Sequence, residues 1–379
     1  MSQIATLLNT SASRIAYLDG LRGVAILAVV FYHAFSRWHW HVPYGSLYRD
    51  VPVFEYGWLG VQLFFMISGF VILMSLEKSN GFAHFMVKRW VRLFPAMLVC
   101  SLLIFTTTSF FHERPMGQPE FRDLLPGLTL IEPYFWELLI GSPQGQLEGT
   151  FWSIYVEIKL YIVAGLCFFI LGWRQMIAVM TVLFLVGTLV LYLDPWLVRN
   201  ELHTTKLVLS IFSGRPCGWF ATGALFYRYS ITGNRKILGI AMIWAIAVAF
   251  GEGKSPWNEM PFEWARVWGC LVVVGLFTLA TTYSPVRGVM GNRILLLIGF
   301  ASYPLYLLHD QVMISMINKI NGLISWMPVL LMPLLPLALV LCIAWLIARF
   351  VEPVARFWLR KALCDCAAWL KAKRGHAGV

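Results

Sequence analysis

Apolar residues run through this chain in long blocks broken by short polar stretches. A helix needs ~20 mainly apolar residues to cross a bilayer. Ten segments meet or approach that length: roughly 18–36, 57–76, 93–111, 151–172, 175–193, 207–227, 237–251, 264–286, 294–317 and 327–349. Tyr56 to Leu76, Leu93 to Phe111, Gln175 to Leu193 and Val267 to Val286 hold no charged residue and no histidine. The block 237–251 is short, and 124–140 is apolar enough for a re-entrant or interfacial segment, so the expected count is ten, give or take one. The pattern predicts an all-α, polytopic transmembrane helix bundle with no internal repeat. After residue 350 the pattern changes. Trp358, Leu359, Leu363, Ala367 and Leu370 alternate with Lys and Arg, which predicts an amphipathic helix anchored at the interface. The expected organisation is a membrane domain over 1–350 and a short basic cytoplasmic tail over 351–379, with no signal peptide and no fused soluble domain.

Composition agrees with this pattern. The 379 residues are 59% apolar and 13% charged, with a mean hydropathy of +0.70. Soluble domains carry about 45–50% apolar and about 25% charged residues. A soluble enzyme, a disordered chain and a disulfide scaffold are therefore excluded. The net charge of +11 would suit nucleic acid only on the face of a soluble domain, so no nucleic-acid partner is expected. Placed on the ten-span topology, nineteen of the thirty Lys and Arg fall in segments on the N-terminal side and nine in the opposite loops. That bias puts both termini in the cytoplasm, facing anionic membrane lipid. Five of the seven cysteines sit within apolar runs and read as small hydrophobes. Cys364 and Cys366 form a C-x-C without a second ligand pair, so no metal site is expected.

Ionisable residues inside a span are costly and mark function by default. His33, Glu157, Lys159, Arg215 and the pair His309–Asp310 qualify. Arg22 and His33 are eleven residues apart, which returns them to nearly the same helix face, ~16 Å apart along the axis. Asp19 shares that face and can pair with Arg22. Counted along their helices, His33 lies ~21 Å into the core, Glu157 ~9 Å below the opposite surface and His309 ~22 Å from the inner surface. All three reach one depth near the outer leaflet. Ser153, Glu157 and Tyr161 share a face, as do Ser302, Tyr306 and His309. A histidine held by a carboxylate suits general-base work near neutral pH. Arg215 would bind an anionic or sugar ligand or counter Glu157, and Lys159 would snorkel outward. On the inner side, Arg89 and Arg92 lie three apart beside Lys88 and can grip one polyanion. From spacing alone, ordinary positive-inside charge explains them better. A lipid-linked glycan transporter or flippase would also use intramembrane His, Glu and Arg, and a non-catalytic scaffold would account for the apolar bulk alone.

Several motifs stand in order along the chain. They are Y-L-D-G-L-R-G-V-A at 17–25 running into His33, L-F-F-M-I-S-G-F at 63–70 and K-R-W-V-R-L-F-P at 88–95. F-W-S-I-Y-V-E-I-K-L-Y at 151–161, Gly-Arg-Pro-Cys at 214–217 and S-Y-P-L-Y-L-L-H at 302–309 follow. With these, the chain over roughly 14–350 resembles acyltransferase family 3, polytopic bacterial membrane enzymes that O-acylate polysaccharides, lipopolysaccharide and related glycans. The resemblance implies an inner-membrane O-acyltransferase that takes an acyl group from cytoplasmic acyl-CoA, usually acetyl-CoA, to a hydroxyl of an extracytoplasmic glycan. It assigns the family's Arg-x10-His element to Arg22 and His33, its R-x-x-R to Arg89 and Arg92, and its W-S-x-x-x-E to Trp152, Ser153 and Glu157. On this reading His33 is general base or acyl carrier, oriented by Glu157. Arg89 and Arg92 hold the CoA phosphates, and Arg22 lines the pore or, with Asp19, holds the pantetheine end. Ser302, Tyr306, His309 and Arg215, with Ser153 and Trp152, line the acceptor site. The family often places a second acidic residue and a Gln after that Glu; Ile158 and Lys159 stand there instead.

Overall fold

The computed structural model describes residues 15–202, 205, 211, 214–255, 262–324, 326–328 and 331–376. Arg14, Lys206, most of the first third of the expected span 207–227, and the side chains of Ala367 and Leu370 in the tail lie outside the described residues. Every regular element among the described residues is a helix, and none is a strand. Its long helices are α1 (Ala16–Tyr32), α2 (Gly60–Glu77), α3 (Phe82–Thr107), α4 (Trp152–Leu171), α5 (Trp173–Arg199) and α6 (Arg215–Thr232). They continue with α7 (Arg235–Gly251), α8 (Trp264–Thr282), α9 (Arg293–Leu308), α10 (Gln311–Leu323), α11 (Leu334–Leu346) and α12 (Glu352–His376).

Seven helical stretches among the described residues are long and apolar enough to cross a membrane: Ala16–Arg37, Pro52–Glu77, Phe82–Thr107, Gly149–Leu171, Trp173–Arg199, Trp264–Thr282 and Leu334–Cys366. Ser284–Met290 and α9, bent by 62°, count as an eighth if they form one span. The protein is thus an all-α integral membrane protein. Helices α6 and α7 correspond to two more expected spans but fall short of that length and apolarity. Helix α6 is enclosed instead, with Cys217 through Tyr227 buried.

Backbone contact fixes the bundle. A Cβ on Gly223 of α6 would lie 1.8 Å from the Met66 carbonyl oxygen of α2, and one on Gly69 of α2 would lie 1.9 Å from that of Phe220. Helices α1 and α9 meet the same way, at Gly299 against the Asp19 carbonyl. Without water to drive apolar faces together, close packing through small residues supplies the attraction between helices in lipid.

Two expected boundaries are corrected. The segment 294–317 is not one helix: it breaks at His309–Asp310, where Asp310 has φ −88° and ψ −96°. The amide of Gln311 turns away from its helical acceptor to the Glu148 carboxylate, 2.6 Å away. The basic residues Lys88, Arg89 and Arg92 do not precede a span starting at 93. Helix α3 begins at Phe82, which carries Arg89 into the bundle, where it is buried. In the tail, the helix runs on from α11 through a π turn at Ile347–Val351 into α12.

Replacing Gly223 with Ala drives a methyl into the α2 backbone and should cost about 1–3 kcal/mol by overpacking. Gly275→Ala, on α8 with open space around it, is the control and should be neutral or mildly stabilising. Thermal denaturation in detergent should show a lower Tm for the first variant only.

Candidate active site

The motif residues line an elongated cavity of about 100 Å³ between α1, α2, α3, α4 and α9. Arg22, Arg89 and Arg92 mark one end. Glu157, Ser68 and Tyr161 stand beside them, and Ser153, Ser302 and Tyr306 also face the cavity. Arg22 donates to Asp19 at 2.7 Å. Arg89 sits by the rings of Phe85 and Tyr161, 5.6 and 5.8 Å from their centroids. Neither Arg89 nor Arg92 forms an ion pair with a described residue, and the Arg89 Nε is buried without a hydrogen-bond partner. The end of this cavity is an incompletely neutralised cationic site.

Beyond Tyr306 lies a second cluster. The ring of His309 is 5.2 Å from that of Tyr306 and 4.8 Å from that of His33. His33 closes α1 at the first residue of a π turn, His33–Arg37. Its Nδ1 lies 2.9 Å from the Val29 carbonyl and 3.3 Å from His309 Nε2, while His309 Nδ1 lies 2.8 Å from the Tyr306 carbonyl. Carbonyl oxygens only accept, so in the neutral rings both Nδ1 atoms carry hydrogen. His309 Nε2 is then an acceptor for the His33 Nδ1–H. This leaves His33 Nε2 with a free lone pair, 4.0 Å from the Asp310 carboxylate. Asp310 is itself held by the Trp38 indole N–H at 2.7 Å.

The structure divides the expected site. His33 and His309 meet, but Glu157 does not join them. It accepts from Ser68 at 2.9 Å and from the Tyr161 hydroxyl, among the arginines, so the carboxylate beside His33 is Asp310. Ser153 donates to the Tyr306 hydroxyl at 2.7 Å, and that hydroxyl donates to the Thr150 carbonyl at 3.2 Å. Ser302 lines the cavity with them. Trp152 is half-exposed against Phe65 and does not line it. Arg215 neither counters Glu157 nor reaches the cavity: it pairs with buried Glu252 at 2.7 Å and the Lys254 carbonyl at 2.9 Å. Lys159 pairs with Glu132 at 2.9 Å.

The non-helical stretch after α3 covers the His cluster. Buried Arg114 lies 3.6 Å from the Glu148 carboxylate and donates to the Leu147 carbonyl at 2.5 Å. The Met116 amide donates to Gln311 Oε1 at 3.0 Å. Sequence reasoning missed Asp310 as the partner of His33, together with Trp38, Arg114 and Glu148. Adjacent residues on a continuous helix do not face one target. His309 and Asp310 both reach His33 only because the helix breaks between them.

Comparison with known proteins adds the following. The model of acyltransferase family 3, described as an acyltransferase domain, matches residues 15–349. Nodulation protein 10 of Rhizobium leguminosarum bv. viciae is 27% identical over 79% of this chain and 83% of its own length. An O-acetyl transferase of Shigella phage Sf6 is 23% identical over 62% and 70%. The peptidoglycan O-acetyltransferase OatA of Listeria monocytogenes is 25% identical over 89% of this chain and 55% of its own length. No solved structure matches.

Burial raises the carboxyl of Glu148, which precedes the α4 span, to about 8. Arg114 opposes that rise and Asp310 adds to it. The folded protein therefore retains a proton that the unfolded chain releases above its ordinary value of 4.5. Stability conferred by that proton is complete below about 4.5 and falls as pH rises toward about 8, by at most about 1.4 kcal/mol per unit. Melting temperatures from pH 5 to 8 should decline for the wild type and decline less for Glu148→Gln. An equal or steeper decline in the variant would remove Glu148 from this role.

Proposed function

Because the chain belongs to acyltransferase family 3, we propose that it is an integral O-acetyltransferase of the bacterial inner membrane, with both termini cytoplasmic. It would take an acetyl group from cytoplasmic acetyl-CoA to a hydroxyl of an extracytoplasmic glycan. The observation that carries the reading is the pair Arg89 and Arg92. They are cations facing the cavity, neither of them in an ion pair with a described residue, on a helix expected to enter from the cytoplasm. Desolvated guanidinium groups without partners are costly, and phosphate oxygens answer their geometry. Arg22, neutralised by Asp19, would line the passage between the phosphates and the thioester.

In the transfer, His33 Nε2 takes the proton of the acceptor hydroxyl as its oxygen attacks the thioester carbonyl. The carbon–sulfur bond breaks, and the departing thiolate takes the proton that His33 received. Asp310 stabilises the transient imidazolium on His33, and His309 holds the opposite nitrogen. In the covalent variant His33 Nε2 attacks the thioester carbon and the CoA thiolate leaves; the acceptor oxygen then displaces the imidazole from the acyl carbon, and the hydroxyl proton goes to the thiolate. Ser153 and Tyr306 stand where the cavity meets the histidines and would orient the reacting carbonyl. The named activities of the phage and Listeria relatives, an O-acetyl transferase and a peptidoglycan O-acetyltransferase, support acetyl as the group and a glycan as the acceptor.

Mass spectrometry of surface glycans tests this directly. Cells with the intact gene should show a mass increment of one acyl group, absent after deletion and absent with His33→Ala at normal membrane levels. Acylation that persists in His33→Ala removes His33 from the mechanism, and a glycan missing from the surface but chemically unchanged favours a carrier. In the purified enzyme, Arg89→Ala and Arg92→Ala should each raise the KM for acetyl-CoA about tenfold or more, the loss of one charge-assisted contact.

A further inference from the structure

A second cavity, of about 230 Å³, opens on the far side of His33 from the arginine-lined one. Its inner wall is the π turn that carries His33: Tyr32, Ser36 and Arg37 line it, and the Tyr32 ring is 5.0 Å from the imidazole. From cavity to cavity the sequence of rings is Tyr306, His309, His33, Tyr32, each within 5.2 Å of the next. The histidine pair is thus a partition with a cavity on either face.

The lining of this outer cavity has a definite chemistry. Three cations, Arg37, Arg49 and Arg266, meet three carboxylates, Asp50, Glu55 and Glu263. Four of these six are already paired, Arg266 with Glu263 at 2.7 Å and Arg49 with Asp50 at 3.6 Å. Arg37 and Glu55 remain without an ion pair among the described residues. A free donor fork and a free acceptor carboxylate in one balanced cavity repel a polyanion at Glu55 and a polycation at Arg37. Both are satisfied by a ligand whose groups donate and accept at once, as hydroxyls do. The apolar part is aromatic: Trp58 lies under Arg266, 5.4 Å from its guanidinium, and the Trp40 ring is 58% exposed. Such rings offer flat faces to the C–H face of a sugar ring while their edges stay wet.

We propose that this outer cavity is the acceptor subsite and binds an uncharged saccharide. One hydroxyl points past Tyr32 at His33 Nε2, Trp40 covers the sugar face, and Glu55 with Arg37 reads its hydroxyls. The proposal rests on the acetyltransferase reading for the purpose of the site, but not for its ligand.

Direct binding separates the two. The full chain in detergent, without acetyl-CoA, is titrated with neutral hexose and deoxyhexose oligosaccharides and with oligogalacturonate, followed by tryptophan fluorescence and saturation-transfer NMR. Neutral saccharides should bind the wild type. Trp40→Ala, at an exposed ring that leaves the core intact, and Glu55→Gln should each weaken binding at least tenfold. In the transfer assay both should raise KM for the saccharide more than they lower kcat. No binding of any neutral saccharide, preference for oligogalacturonate, or affinities within twofold of wild type in both variants would overturn the proposal. Saccharide binding with no acetyl transfer by the wild type would leave the subsite standing and defeat the acetyltransferase reading.

Discussion

The cost of holding charge away from water organises this molecule. Inside a bilayer an ion is paired, neutralised or put to use, and the buried ions here sort on that line. Arg22 has Asp19, Arg215 has Glu252, Lys159 has Glu132, and Arg114 has Glu148. The last three of these pairs also tie together segments far apart in sequence. Arg89 and Arg92 are left facing a cavity without an ion pair among the described residues, and on the reading proposed above this separates ligand-directed cations from structural ones. Basic composition and spacing cannot make that separation, because structural and functional arginines carry the same charge.

The same rule explains how the histidines are poised. Two backbone carbonyls, of Val29 and Tyr306, each occupy an Nδ1, and the imidazole-to-imidazole contact joins His33 Nδ1 to His309 Nε2. The lone pair of His33 Nε2 is thereby left free, and the orientation of its ring is set from the opposite side. The carboxylate waits 4.0 Å away, close enough to stabilise the protonated ring.

Much of this was legible in the sequence, and the failures have a common origin. The eleven-residue step from Arg22 to His33 is internal to one helix, so helical geometry alone put them on one face. The same held for Ser302, Tyr306 and His309. Depth along separate helices was legible too, but azimuth was not. Glu157 and His33 were expected to touch because both counted toward one level, yet the rotation of α4 turns Glu157 toward Ser68 and the arginines. Arg215 misled for a different reason. Its partner, Glu252, follows the last residue of α7 in a stretch that read as loop, and only the folded bundle brings it beneath the α6 start. Asp310 was visible beside His309, but its role depends on a helix break produced by the distant Glu148.

The π turn at His33–Arg37 has a consequence for what changes this site can survive. It is wound wider than an α-helix, with bonds reaching one residue farther along. Five residues of such a turn cover about the angle that four cover in an α-helix, so removing one residue after His33 would restore regular winding and leave the phase of Trp38 toward Asp310 nearly unchanged. A deletion between Arg22 and Tyr32 has no wide turn to absorb it and would rotate His33 by about 100° relative to Arg22. Natural variants of this enzyme should therefore gain or lose a residue at the wide turn, while the spacing from Arg22 to His33 keeps its length.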